Sequence, residues 1–130
     1  MLKIMLIVAT IVLFLHGLIH LMGTVAYIKL GVIQQLPYKT TVLGGRWELG
    51  AGGIAVYGAL WAVAAIGFIV VAVALLMDWP WSQPVLVGIT LLSLVLTALD
   101  WDVAYAGVIL NIAILALLWL GPRLNSWFAR

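Results

Sequence analysis

Four long apolar stretches, separated by short polar segments, constrain this sequence more than any other feature. They predict helices over residues 2–30, 51–77, 82–99 and 102–121, with a loop over residues 31–50 between the first two. About 20 consecutive apolar residues are enough for a helix to cross the hydrocarbon core of a bilayer. The pattern therefore predicts a single all-α domain over residues 1–130, folded as an integral membrane four-helix bundle.

The composition agrees with lipid as the solvent of this chain. Of its residues, 67% are hydrophobic and 8% are charged, whereas a soluble domain has about a quarter of its residues charged. We therefore expect a multi-pass protein of the cell membrane. The net charge of +2 comes without a basic cluster, which argues against nucleic acid as a partner. The absence of cysteine excludes disulfides, zinc–thiolate centres, iron–sulfur clusters and thiol catalysis.

The boundary between the third and fourth helices is predicted at the sequence Asp100-Trp101-Asp102. The segment 85–120 contains only these two charged residues and is too long for one span. We expect both carboxylates to lie at a solvated turn. Asp102 is predicted to be the N-cap of the fourth helix, because its carboxylate can accept hydrogen bonds from the free amides of the first turn.

The basic residues do not decide the orientation of the bundle. If the termini share one side of the membrane, three basic residues lie on each side: Lys3, Arg123 and Arg130 on one, and Lys29, Lys39 and Arg46 on the other. The positive-inside rule places the more basic loops in the cytoplasm, and here the two sides are equal. We adopt cytoplasmic termini as the prediction.

His16 and His20 are the only histidines, and they lie one helical turn apart well inside the first span. Intramembrane polar residues are costly and usually face the interior of a bundle. One hypothesis is metal or haem ligation, with Glu48, Asp100 or Asp102 as further metal ligands. Hydrogen bonds to neighbouring helices are the favoured alternative. Proton transfer or binding of a polar ligand group stays open.

Further polar residues lie inside the third and fourth spans. Thr90, Ser93, Thr97 and Asp100 are spaced by 3, 4 and 3 residues, so they share one helical face. This face could line a polar pocket, but close helix packing with hydrogen bonds across the interface is favoured. Asn111, in the middle of the fourth span, needs partners, which the His16/His20 face or the Ser93/Thr97 face could supply. A buried polar network is predicted, with a ligand site as the alternative.

Arg46 and Glu48 flank the start of the second span, and we place them with Asp100 at the membrane interface. Because they are two residues apart, they do not share a helix face. Ion pairs with other loops are the expected role. Binding of a lipid phosphate by Arg46 is the alternative.

The segment His16-Gly17-Leu18-Ile19-His20-Leu21-Met22-Gly23 resembles the first helix of a group of small, uncharacterised four-span bacterial membrane proteins with the pattern H-G-x-I-H-L-x-G. Trp47, Ser93, Trp101, Asp102, Gly107 and Asn111 stand at the later positions of that pattern. At the level of architecture the chain is also similar to DoxX-like four-helix proteins. The resemblance implies that His16, His20, Asp102 and Asn111 form one polar cluster, and it implies no particular activity.

Three functions remain open at this stage. The first is a non-catalytic accessory or scaffold subunit of a larger membrane assembly. As partners we expect the lipid bilayer and either other membrane protein subunits or further copies of this chain. The second is a binder of a hydrophobic small molecule, such as a quinone, lipid or pigment, with His and Asn bonded to its polar head. The third is a haem- or metal-binding redox protein that uses His16 and His20. The motifs HExxH and GxSxG do not occur, which argues against the common hydrolytic enzymes.

Overall fold

The computed structural model describes residues 2–128, with side chains from residue 3 to residue 123. Within this range the chain forms four helices, α1 (Leu2–Tyr27), α2 (Gly50–Leu76), α3 (Ser82–Leu99) and α4 (Trp101–Phe128). A short antiparallel hairpin, β1 (Thr41–Val42) and β2 (Trp47–Glu48), lies between α1 and α2. Each helix contains a segment long and apolar enough to cross a membrane. The prediction of an all-α architecture with four helices is therefore confirmed.

Helices α1 and α2 end in the same way. Lys29 and Asp78 have φ angles of 59° and 54°, in the left-handed region. In each case the next amide, that of Leu30 or Trp79, donates to the carbonyl five residues earlier, at 2.9 and 3.0 Å. This Schellman arrangement satisfies carbonyls that the helix leaves free and reverses the chain direction. After α2, Pro80 lacks the amide that a continuing helix would need.

The connection between α3 and α4 is a single residue, Asp100, with φ −112° and ψ 34°. The amides of Val103 and Ala104 both donate to the carbonyl of Asp100, at 3.0 and 2.9 Å. Asp102 lies in the first turn of α4. The prediction that Asp102 is the N-cap is therefore wrong, because the chain already turns at Asp100 and the helix begins one residue earlier than expected.

The helices pack in the order of the sequence. α1 packs on α2, α2 on α3 and α3 on α4, whereas α1 and α4 make almost no backbone contact. The α1–α2 contact is close because small residues face each other there. A Cβ added at Gly17 would lie 2.9 Å from the carbonyl oxygen of Ala65, and the hydroxyl of Thr24 donates to the carbonyl of Gly58 at 2.9 Å. The bundle is therefore open along one side, between its first and last helices.

Burial in this bundle differs from that of a water-soluble domain. Many large apolar side chains are exposed on the outer helix faces, among them Val56, Ile66, Ile109 and Leu117. Polar side chains are buried inside: Thr10, His16, His20, Thr24, Ser82, Thr90, Ser93, Thr97, Asp100 and Asn111. This distribution suits a bundle surrounded by lipid, where polar groups must find partners within the protein.

The loop between α1 and α2 folds back over the end of α3. In the hairpin, Thr41 pairs with Glu48 and Val42 with Trp47. The amide of Leu43 donates to the carbonyl of Leu99 at 2.8 Å, and Val42 is fully buried. The loop and the α3–α4 connection therefore lie at the same end of the bundle.

Candidate functional site

His16 and His20 face the interior of the bundle from one side of α1. They are 4% and 1% exposed. The ring Nδ1 of His20 donates to the carbonyl oxygen of His16 at 2.9 Å, which is possible because the two residues are one helical turn apart. This bond sets the orientation of the His20 ring and directs Nε2 towards α3.

The two histidines are joined to α3 and α4 by a buried hydrogen-bond network. Nε2 of His20 lies 2.7 Å from Oγ of Ser93, and Nε2 of His16 lies 3.1 Å from Oδ1 of Asn111. Nδ2 of Asn111 donates to Oγ of Ser93 at 2.8 Å and to Oγ1 of Thr97 at 3.2 Å. We call these five residues, His16, His20, Ser93, Thr97 and Asn111, the histidine network. It ties three helices together through side chains alone.

Donor and acceptor roles in the histidine network can be assigned starting from the backbone carbonyl oxygens, which only accept hydrogen bonds. The hydroxyl of Thr97 donates to the carbonyl of Ser93 at 2.8 Å, so it accepts from the amide nitrogen of Asn111. The amide oxygen of Asn111 must then accept from Nε2 of His16. His20 uses its proton at Nδ1 on a carbonyl, so its Nε2 accepts from the hydroxyl of Ser93. For neutral imidazoles, these bonds place the proton of His16 on Nε2 and the proton of His20 on Nδ1.

Aromatic side chains of α2 cover the histidine rings. Phe68 lies against His16 with ring centroids 4.7 Å apart, and Trp61 lies against His20 at 4.9 Å. Trp61 fits there because its neighbour on α1 is Gly23, where an added Cβ would lie 2.4 Å from the indole ring. Trp61 and Phe68 are not among the site residues that the sequence predicts. The sequence contains one indication of this role for Trp61, because it is the tryptophan that lies farthest from the predicted span ends.

Gly107 allows α4 to approach α3 at the level of the network. A Cβ at this position would lie 2.8 Å from Cγ2 of Thr97. Because Asn111 follows one turn later on the same helix, this close approach brings its short side chain within reach of Ser93 and Thr97.

Of the two aspartates expected at a solvated turn, Asp102 is exposed and Asp100 is not. Asp100 is 1% exposed and contacts the hydroxyl of Tyr27 and the ammonium group of Lys39, so it is buried and paired rather than solvated at a turn. Asp102 is exposed, beside Gly44 of the loop, and has no place in the histidine network. The expected cluster therefore forms without Asp102. The physical reason is the single-residue connection, which turns Asp100 inward and Asp102 outward.

Arg46 and Glu48 are both exposed in the hairpin, away from the histidine network. The carboxylate of Glu48 accepts a hydrogen bond from the amide of Gly50 at 2.9 Å. In the described part of the chain, the ion pair joins Lys39 and Asp100. Neither Arg46 nor Glu48 takes part in it.

The donor set around the histidines suits hydrogen bonding better than metal ligation. Among the described residues, no group of three or more His, Cys, Asp and Glu side chains is arranged to hold a metal ion. The carboxylates considered as further ligands, Glu48, Asp100 and Asp102, all lie outside the histidine network. Haem or metal ligation by His16 and His20 stays a prediction without support from this arrangement.

Two adjacent cavities occupy the opening between α1 and α4. The first has a volume of about 240 Å³, and its walls include His16, His20, Trp61 and Thr97, with Gln35 and Leu36 of the loop at one end. The second has a volume of about 550 Å³ and lies nearer the start of α1. Its walls are apolar apart from Gln83, and Leu110 of α4 borders both cavities. We call the two together the α1/α4 groove.

The comparisons with known proteins do not assign the site. No protein-family model matches this chain, and no curated protein or solved structure matches it significantly. The resemblance to small four-span bacterial membrane proteins therefore stays a prediction.

Proposed function

We propose that this protein is a multi-pass membrane protein that binds a hydrophobic small molecule, such as a quinone, lipid or pigment, in the α1/α4 groove. One observation carries the proposal. A small cavity beside His16 and His20 adjoins a larger apolar cavity, and both lie where the first and last helices leave the bundle open. Binding sites for small molecules are typically apolar concavities with a few polar groups that orient the ligand.

The histidine network supports this role because it would hold the polar wall of the site in place before the ligand arrives. Ser93 and Asn111 are fully buried, Ser93 is bonded to His20 and Asn111 to His16, so the rings have little freedom to reorient. A preorganised wall reduces the ordering cost of binding. The opening between α1 and α4 would admit a ligand sideways from the lipid.

Native mass spectrometry after extraction in a mild detergent tests this proposal. The wild-type chain should carry a bound species of fixed mass. Ala113→Phe, which places a phenyl ring in the second cavity, should reduce the occupied fraction at least tenfold. The matched control is Ala116→Phe, because Ala116 is exposed on the same helix and borders neither cavity. Equal occupancy in both variants, or a wild-type chain without any bound species, would contradict the proposal.

The hypothesis of an accessory subunit stays a prediction. The same spectra address it, since recovery of the chain only inside a larger complex would place its function in that assembly. A single species of 14.1 kDa, or multiples of that mass, would count against it.

A further inference from the structure

The histidine network leaves one ring nitrogen without a partner. His16 uses Nε2 to donate to Asn111, and both nitrogens of His20 are bonded. Nδ1 of His16 has no hydrogen-bond partner among the described side chains and backbone groups. It is also not sealed by surrounding atoms, in contrast to Nε1 of Trp61. His16 is buried and is one of the residues that border the first cavity, so the lone pair of this nitrogen is free for an occupant of that cavity.

The chemistry of the first cavity limits what its occupant can be. None of its wall residues is Asp, Glu, Lys or Arg, so a charged head group would lose its hydration without gaining a counter-ion. The unprotonated nitrogen of His16 requires a hydrogen-bond donor from the occupant. The first cavity has a volume of about 240 Å³, which is below the range typical of pockets for drug-sized ligands. This volume suits one small head group.

The second cavity lies beside the first, nearer the start of α1, and Leu110 of α4 borders both. It follows α1 from Ile4 to Leu13, a length of about 14 Å at the helical rise per residue. Its nearly apolar walls suit a single hydrocarbon chain attached to the head group in the first cavity.

We propose that the occupant of the α1/α4 groove is an uncharged single-chain amphiphile with a hydroxyl group, of the class of long-chain phenols and alcohols. Its O–H donates to Nδ1 of His16, and its hydrocarbon chain lies in the second cavity. This inference rests on the proposed function and adds the chemical class of the ligand. A head group with acceptors only, such as a quinone, would leave Nδ1 of His16 unpaired.

The test compares two probes, 4-dodecylphenol, which has a hydroxyl donor, and its methyl ether 4-dodecylanisole, in which a methyl group replaces the hydroxyl hydrogen. Each is titrated into the wild-type protein, and the bound fraction is measured by native mass spectrometry. We expect the phenol to bind at least tenfold more tightly. In His16→Gln the side-chain amide can still donate to Asn111, but it has no counterpart of Nδ1. In this variant the ratio of the affinities for the phenol and the ether should fall to about one.

A second measurement avoids any substitution in the network. In wild-type protein labelled with ¹⁵N-histidine, the Nδ1 resonance of His16 should be that of an unprotonated nitrogen. It should shift upfield when the phenol is added, and it should not shift with the ether.

The outcomes separate the two proposals. Equal binding of both probes to the wild type would overturn the hydroxyl class while leaving the binding function in place. A preference retained in His16→Gln, or an Nδ1 resonance unmoved by bound phenol, would overturn the role of His16. Failure of both probes to bind in the groove, with no bound species recovered from the membrane, would overturn the proposed function as well.

Discussion

At the residue scale, Asn111 is the side chain on which the histidine network depends most. It accepts from His16 and donates to Ser93 and Thr97, so it joins α4 to α1 and α3 at once. Few backbone contacts hold α1 near α4, so the bond between His16 and Asn111 is a main link across the open side of the bundle. Hydrogen bonds between helices in membranes contribute about 0.6 kcal/mol each on average.

The substitution Asn111→Leu should therefore destabilise the protein by about 2 kcal/mol. It keeps the approximate side-chain size but removes three hydrogen bonds and leaves the Nε2 proton of His16 without an acceptor. Unfolding in a titration of mixed micelles with a denaturing detergent measures the change. The control is Ile112→Leu on the exposed face of α4, which should leave stability unchanged. Wild-type stability in Asn111→Leu would show that the network has no energetic role.

At the element scale, glycines determine how closely the helices approach each other. Gly23 of α1 faces the indole ring of Trp61, and the place that a side chain would occupy is already filled. In contrast, Gly88 of α3 has no atom near the position of an added Cβ. The same residue type therefore serves close packing in one helix and lowers helix propensity in the other.

Substitution of these two glycines by alanine should have opposite effects. Gly23→Ala should destabilise the protein by about 1–3 kcal/mol, because the new methyl group would overlap Trp61, and a buried site leaves little room for relaxation. Gly88→Ala should be neutral or stabilise by up to about 1 kcal/mol, because alanine has the higher helix propensity. The unfolding titration of both variants in one detergent is the measurement. Equal effects would contradict the close contact between α1 and α2 at Trp61.

The hairpin between α1 and α2 shows the limits of local sequence patterns at this scale. The sequence predicted a loop over residues 31–50, and the structure adds two short strands and an ion pair from Lys39 to Asp100. Strands of two residues leave no periodic pattern, and the ion pair joins positions 61 residues apart. Both features depend on the end of α3 lying beneath the loop.

At the scale of the whole molecule, the sequential packing of the helices places the loop and the α3–α4 connection at one end and the α2–α3 turn at the other. The bundle is open between α1 and α4, so its interior can be reached from the side. If the helices span a membrane, the two ends face opposite aqueous compartments. The polar network then lies at the depth of the hydrocarbon.

The predicted cytoplasmic location of the termini can be tested with single cysteines, since the native chain contains none. Val32→Cys, at a loop position that is 96% exposed, should react with a membrane-impermeant maleimide added to intact cells. Trp79→Cys, in the turn between α2 and α3, should react only after the membrane is permeabilised. The reverse pattern would place the termini outside, and labelling of both cysteines in intact cells would contradict a membrane-spanning bundle.

The sequence by itself determined the number of helices and the side chains that share a helix face. In lipid, a long apolar segment forms a helix because the helix satisfies the hydrogen bonds of its backbone N–H and C=O groups. The repeat of 3.6 residues per turn places His16 on one face with His20, and Ser93 on one face with Thr97. Only the tertiary structure decided that Asp100 is buried while Asp102 is exposed, that Trp61 covers His20, and that a groove opens between α1 and α4. The physical reason is that these features depend on the rotation and spacing of whole helices. Contacts between residues far apart in sequence, such as Gly17 with Ala65 and Gly107 with Thr97, set that spacing.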